Sequence, residues 1–236
     1  RIELNRAAGW NGVGLIDAAP AGEFLGSVDL SGQDILVSPV FTSGTQLFRN
    51  AQSITLMGDR YRSDSADPAA TAIEFRGNTL NLMPAGGEAF VSAPDGTVLF
   101  DVAQIDGAGN ALRVEAGPGS IDFRVGIDID DAAQMYTAAA YNFLGSATLS
   151  SALGAGSDVL VGILNGTGSE NVSLIATDLV SVAGSNGPGA GSGLNLLDIE
   201  AGSLAINGPT SAGFVRIVSQ DRTRDIAVGN ARAGTL

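Results

Sequence analysis

Asp128, Asp130 and Asp131 form the densest acidic cluster in the chain. In an extended segment 126–130, alternation puts Asp128 and Asp130 on one face and Ile127 and Ile129 on the other. Cα atoms two residues apart on one face of a strand lie about 6.5–7 Å from each other, from the strand rise. Two carboxylates at that spacing suit a calcium ion, which takes oxygen ligands, or the acid–base pair of a glycosidase. A solvated outer face accounts for the same residues. A second calcium candidate lies downstream. Gly154–Gly162 follows the calcium-binding nonapeptide G-G-x-G-x-D-x-U-x, with Leu153 in place of the first Gly and Asp158 as the oxygen donor. Gly166-Thr167-Gly168-Ser169-Glu170-Asn171-Val172 is a looser copy carrying Glu170. The two copies stand further apart than one nonapeptide, and one half-site offers fewer oxygens than the six to eight that calcium takes. A β-turn before a strand is the plain alternative. Calcium at Asp128, Asp130, Asp158 and Glu170 is the one cofactor the sequence offers.

Absences remove most other chemistry. The 236 residues include 12 basic and 25 acidic ones, for a formal net charge of -13. Every basic residue is Arg, and the chain has no Lys, His or Cys. That leaves no imidazole base and no Ser-His-Asp triad. It leaves no thiol nucleophile, disulfide or thiolate metal site. It also leaves no Schiff base and no phosphate-binding lysine, so the Gly-rich run 184–193 reads as a loop and not as a nucleotide cradle. No enzyme is expected. A mixed-charge segment, Asp59, Arg60, Arg62, Asp64 and Asp67, precedes Pro68 and reads either as a reactive insertion or as a surface loop of mutual ion pairs. The acidic balance argues against nucleic acid and against an anionic membrane surface. No apolar run is long enough to cross a membrane as a helix.

The elements that must position these residues are strands. Gly interrupts nearly every helical period, and short alternating runs recur along the chain, such as 53–57, 72–76, 111–116, 171–176 and 203–207. Each spans about four to seven residues. Turn residues separate them, including Pro84-Ala85-Gly86-Gly87, Pro94-Asp95-Gly96 and Gly117-Pro118-Gly119. A small–apolar–x–apolar–x–Gly unit repeats at Ala111–Gly117, Ser120–Gly126 and Gly202–Gly208. Such units suit a sheet that coils, with a Gly at the corner and two apolar residues inward per unit. Ile121, Phe123 and Val125 are expected inward, and Asp122 and Arg124 outward. Aromatic content is only 6%, which predicts a narrow core of Val, Ile, Leu and Ala layers. The expected fold is all-β, a right-handed parallel β-helix, with a β-sandwich or jelly roll as the alternative.

The stretch Asp95–Phe100 followed by Ile105-Asp106-Gly107-Ala108-Gly109-Asn110-Ala111-Leu112-Arg113-Val114-Glu115-Ala116-Gly117-Pro118-Gly119-Ser120-Ile121-Asp122-Phe123 resembles the repeats of filamentous-haemagglutinin-type adhesins. The next segment, Ala133–Thr137 with Tyr141-Asn142-Phe143 and Ala147-Thr148-Leu149, is similar to the unit that follows in such repeats. The resemblance covers residues 95–208. It implies a right-handed parallel β-helix exposed on a bacterial surface, and it implies no catalytic residues.

Three segments are expected: 1–50 as an amino-terminal cap or docking segment, 51–219 as the solenoid body, and 220–236 as a carboxy-terminal tail. Trp10, Phe24, Phe41 and Phe48 concentrate aromatics in the first, and Arg222, Arg224 and Arg232 mark the last. An open solenoid end is a template for another strand. Head-to-tail self-association is therefore expected, with Trp10 and the three tail arginines at the contact. The expected role is that of a structural extracellular protein, an adhesin or a self-assembling surface fibre, with a host-surface or polysaccharide ligand. A phage tailspike-like polysaccharide-active enzyme and a viral fibre or decoration protein are the alternatives.

Overall fold

The fold rests on a computed structural model that describes residues 2–4, 14–16, 25–67, 70–124, 128–130, 132–151, 157–185, 193–208, 210 and 212–220. No described residue is helical. The strands in chain order are β1 (Ile2–Leu4), β2 (Gly14–Ile16), β3 (Val28–Ser31), β4 (Asp34–Val37), β5 (Val40–Thr42), β6 (Gln46–Leu56), β7 (Arg60–Ser63), β8 (Thr71–Leu82) and β9 (Glu88–Ser92). They continue as β10 (Thr97–Asp106), β11 (Ala111–Phe123), β12 (Asp128–Asp130), β13 (Gln134–Phe143), β14 (Ala147–Ser151), β15 (Val159–Gly166), β16 (Asn171–Ser185), β17 (Leu194–Ile206) and β18 (Ala212–Ser219). Every ladder between them is parallel. The chain is a right-handed parallel β-helix. The sandwich alternative fails because it requires antiparallel sheets.

Register divides the coil into three faces. The first stacks Leu30, Phe48, Phe75, Phe100, Phe123 and Phe143. The second stacks Ile35, Ile54, Leu80, Ile105, Ile129, Leu149, Leu174, Ile199 and Ile217. The third stacks Val40, Tyr61, Val91, Val114 and Tyr136. Outside β12, alternation sends these residues inward and their neighbours outward, as the burial of β3, β4 and β5 already shows. Ile121 and Phe123 are fully buried, Asp122 is half-buried and Arg124 exposed. Val125 lies outside the described residues.

The core departs from the expected aliphatic layers. Five of the nine phenylalanines stand in a single inward column. Phe48 and Phe75 stack with ring centroids 5.5 Å apart, Phe75 and Phe100 at 5.5 Å, Phe100 and Phe123 at 5.8 Å, and Phe123 and Phe143 at 4.9 Å. Parallel strands repeat at about 4.8 Å, so identical side chains in register meet at the separation that offset stacking favours. Composition counted the aromatics correctly but could not see that they share a column.

Strands also run longer than expected, up to the 15 residues of β16. The reason is that many pass through a corner without breaking. Gly117-Pro118-Gly119 lies inside β11 and only shifts its register against β13. Gly117 has φ +51, and a Cβ there would lie 1.9 Å from the Pro94 carbonyl oxygen. Glycine at this corner lets one coil settle onto the one below.

The boundary expected at residue 50 is not a change of architecture. β3, β4 and β5 continue the ladders of β6 and β7, and Val28, Leu30, Ile35, Val37 and Val40 belong to the same core as the residues that follow. Phe48, grouped by sequence with the cap, opens the phenylalanine column. Trp10, Phe24, Arg222, Arg224 and Arg232 lie outside the described residues.

Candidate functional site

Of the four carboxylates expected to hold calcium, Asp128 and Asp130 share β12, and Asp158 and Glu170 lie just before β15 and β16. Asp128 and Asp130 lie in β12 on the second face, in register with Gln104 and Asp106 of β10, and Asp128 with Thr148 of β14. Asp106 thus stands one coil from Asp130, and its Oδ1 accepts the Ala108 N–H at 3.0 Å. Asp158 sits just before β15, where the third face begins, and its Oδ1 accepts the Leu179 N–H at 3.1 Å. Among the described residues, no three Asp, Glu, His or Cys side chains gather into a group able to hold a metal ion. Residues 154–156, the Gly-rich start of the nonapeptide, lie outside the described residues.

Glu170 has a different occupation. It is buried, at 4% exposure, in the loop that leads into β16. Its Oε2 accepts the backbone N–H groups of Thr167 (2.6 Å), Gly168 (3.1 Å) and Ser169 (3.2 Å). Its Oε1 accepts the hydroxyls of Thr167 and Ser169. Burial works to raise the carboxyl pKa, but these donors outweigh it and hold the group at about 2. The loop is wound around this carboxylate, with Gly168 at φ +102. Glu170 is consumed as an internal pin, which leaves it poorly placed to bind a cation.

The buried polar side chains likewise serve the corners. The Tyr61 hydroxyl donates to the Val37 carbonyl at 2.7 Å and accepts the Gly58 N–H at 2.7 Å. The Tyr141 hydroxyl donates to the Tyr136 carbonyl at 2.7 Å and accepts the Ala138 N–H at 2.8 Å. Tyr136 donates to Gln134 Oε1 at 2.9 Å, and Gln134 in turn bonds the Ser150 carbonyl and the Ser151 hydroxyl. Desolvation raises all three phenol pKa values. At neutral pH these tyrosines are protonated hydrogen-bond donors: Tyr61 ties its coil to Val37 of the preceding one, while Tyr136 and Tyr141 brace the bend within β13.

The outer faces carry the remaining charge. On the first face a ladder of ion pairs climbs the coils. Glu74, 5% exposed, meets Arg49 at 3.5 Å and Arg76 at 3.0 Å. Asp101 meets Arg76 at 3.0 Å and Arg124 at 3.7 Å. The mixed-charge segment is β7 and its flanks rather than a free loop. There Asp59 Oδ1 accepts the Gly86 N–H at 2.9 Å and Arg62 pairs with Asp64 at 2.6 Å. On the third face Phe90 points outward, with Arg60 of β7 and Arg113 of β11 in register on either side. The Arg60 guanidinium carbon lies 5.3 Å and that of Arg113 4.7 Å from the ring centroid. Sequence reasoning missed this arrangement. Alternation alone marks Phe90 and Arg113 as outward, but only the coil register brings Arg60 to the same ring.

Searches against protein-family models, curated proteins and solved structures find no match to this chain.

Proposed function

We propose that the chain is a structural segment of an extracellular surface protein, an adhesin-like or fibre-forming rod that works through its length and outer faces. The observation that carries this reading is the unbroken parallel ladder from β3 to β18. Its inward columns fill the coil, and its charged side chains pair along the faces. A stack of this kind satisfies its own backbone hydrogen bonds and stays stiff without disulfides. The absence of His, Cys and Lys from the sequence supports a non-catalytic role. An extracellular, bacterial-surface setting follows from the adhesin-like repeats at residues 95–208.

The rod associates head to tail, one copy's tail arginines meeting the amino-terminal region of the next. Phe214, 63% exposed in β18 and in register with Leu196, adds apolar surface to the outer face near the tail. A heterologous contact of this kind does not close on itself and builds a filament. Its electrostatic part weakens with salt. Negative-stain imaging of the full chain tests the reading: filaments are expected, and the combined charge reversal R222E/R224E/R232E should disperse them. An intact chain that stays monomeric at high concentration, or a reversed chain that still forms filaments, defeats the assembly.

A further inference from the structure

We propose that Arg60, Phe90 and Arg113 form a binding site for an acidic polysaccharide that carries one carboxylate on every second sugar. Charge pairing sets Arg60 apart. Arg49, Arg62, Arg76, Arg113, Arg124 and Arg216 each lie within ion-pair distance of a carboxylate. Arg60 is the one arginine among the described residues that does not. Its sequence neighbour Asp59 is turned to the Gly86 N–H. In a chain of net charge -13, an exposed guanidinium that no carboxylate claims is the exception, and here it rests on an aromatic ring.

The geometry is that of an anion receptor. Both guanidiniums lie over the Phe90 ring, which restricts them, and the Nε of Arg113 is buried, so it is the terminal N–H groups of that residue that can meet an anion. Planar forks of this type grip carboxylates with two parallel hydrogen bonds. Arg113 donates to Glu115, which holds its side chain in place, while that side chain is still 42% exposed. Arg60 and Arg113 flank Phe90 from the preceding and following coils. The two cations therefore stand about 10 Å apart, two interstrand spacings. An extended pyranose chain advances per sugar by a length close to one such spacing, so carboxylates on alternate sugars fall opposite the two arginines. Phe90, half-buried, spaces the two guanidiniums, and Met135, next in the same outward column and 41% exposed, offers apolar surface to the sugar C–H groups.

Charge density selects the ligand class. Duplex DNA carries about one charge per 1.7 Å and would be repelled by the acidic body. A sparse polyanion can set its carboxylates on the two guanidiniums and keep uncharged sugars opposite Glu88 and Glu115, which share this face. The site does not depend on filament assembly. A chain that binds sugar as a monomer would sink the fibre reading alone, and a filament that does not bind would sink this one alone.

The test is calorimetric titration of the full chain at low salt with hyaluronan oligosaccharides, which carry one carboxylate per disaccharide. Neutral dextran and duplex DNA are the comparison ligands. Hyaluronan should bind and the other two should not. Arg60→Gln and Arg113→Gln should each weaken binding about tenfold or more, as the loss of a charge-assisted contact does. Arg60→Lys should not restore affinity, because an ammonium neither stacks nor forks. Arg60 is exposed, so its variants keep the fold, and far-UV circular dichroism verifies this. Phe90→Leu should weaken binding with both arginines present. The proposal is overturned by a wild-type chain that ignores hyaluronan. It is equally overturned by an Arg60→Gln chain that binds as well as wild type, or by dextran or DNA binding as tightly as hyaluronan.

Discussion

The amino-terminal and carboxy-terminal coils share one backbone plan and fill it differently. From Phe48 to Phe143 the first face is packed by stacked rings. After Phe143 the column meets Gly166, and the buried core continues through Val172, Leu174, Val180, Val182, Leu197 and Ile199. The corner crossed by an unbroken strand moves as well. β6, β8 and β10 run from the first face into the second. β11 and β13 run from the third into the first, and β16 and β17 from the second into the third. What repeats is the parallel ladder and its inward–outward alternation. The side chain that fills a layer, and the corner that stays extended, are free to change so long as each layer matches the one beneath it. The two regions should therefore respond differently to the same kind of damage.

The largest expected effect lies in the aromatic column. Phe100→Ala removes a fully buried ring stacked on both sides and should cost about 4 kcal/mol in denaturant unfolding. Leu174→Ala in the aliphatic region should cost about 3 kcal/mol. The sharper comparison is Phe100→Leu, which gives an amino-terminal layer the filler of a carboxy-terminal one. It should cost about 2 kcal/mol, since the ring carries stacking energy beyond its area. A neutral Phe100→Leu would mean that the rings are only filler and that the two regions are equivalent.

The next effect belongs to the carboxy-terminal region, where a charge does what rings do elsewhere. Glu170→Gln should cost about 2 kcal/mol, because the donors wound around the carboxylate lose a charged acceptor. The carboxyl pKa is depressed from 4.5 to about 2 in the folded chain. Its contribution is therefore fully present above the unfolded value and is lost as pH falls from 4.5 toward 2. Hydrogen exchange should show the coils around β16 loosening across that window while the phenylalanine coils hold. Glu170→Gln should remove this pH dependence. Equal loosening of both regions would show that the pin is not local.

The smallest effect is on the outer face. Asp101→Asn breaks contacts with Arg76 and Arg124, whose side chains are about half exposed. It should cost less than about 1 kcal/mol, and nothing measurable at high salt. A larger, salt-insensitive loss would make the ion-pair ladder a third contributor to stability beside rings and aliphatic layers.

Much of this was legible in the sequence because alternation and corner glycine are local. The unit Ser120–Gly126 says by itself that Ile121 and Phe123 go in and Asp122 goes out. Its neighbour Gly117 shows why a corner can form there. The assignment of Gly117-Pro118-Gly119 as a break failed, because whether a corner ends a strand depends on the coil below: the Pro94 and Gly96 carbonyls leave room for glycine only. Glu170 was expected as a calcium ligand, whereas both of its oxygens accept hydrogen bonds from its own loop. That closure is a matter of three-dimensional winding, which a motif with a missing glycine does not encode.

Local sequence was enough for the class of fold, for the direction of alternating side chains such as Ile121 and Asp122, and for the chemistry that the lack of His, Cys and Lys removes. These are properties of single residues and of their immediate neighbours. Only the tertiary structure decided which residues stand above one another. The intervals between successive phenylalanines of the column shorten steadily from Phe48 to Phe143, so no fixed period announces it. The same irregular coil length brings Arg60 and Arg113 to the two sides of Phe90. Register in a parallel coil is set by how each turn packs on the last, and that is a sum over contacts distant in the chain.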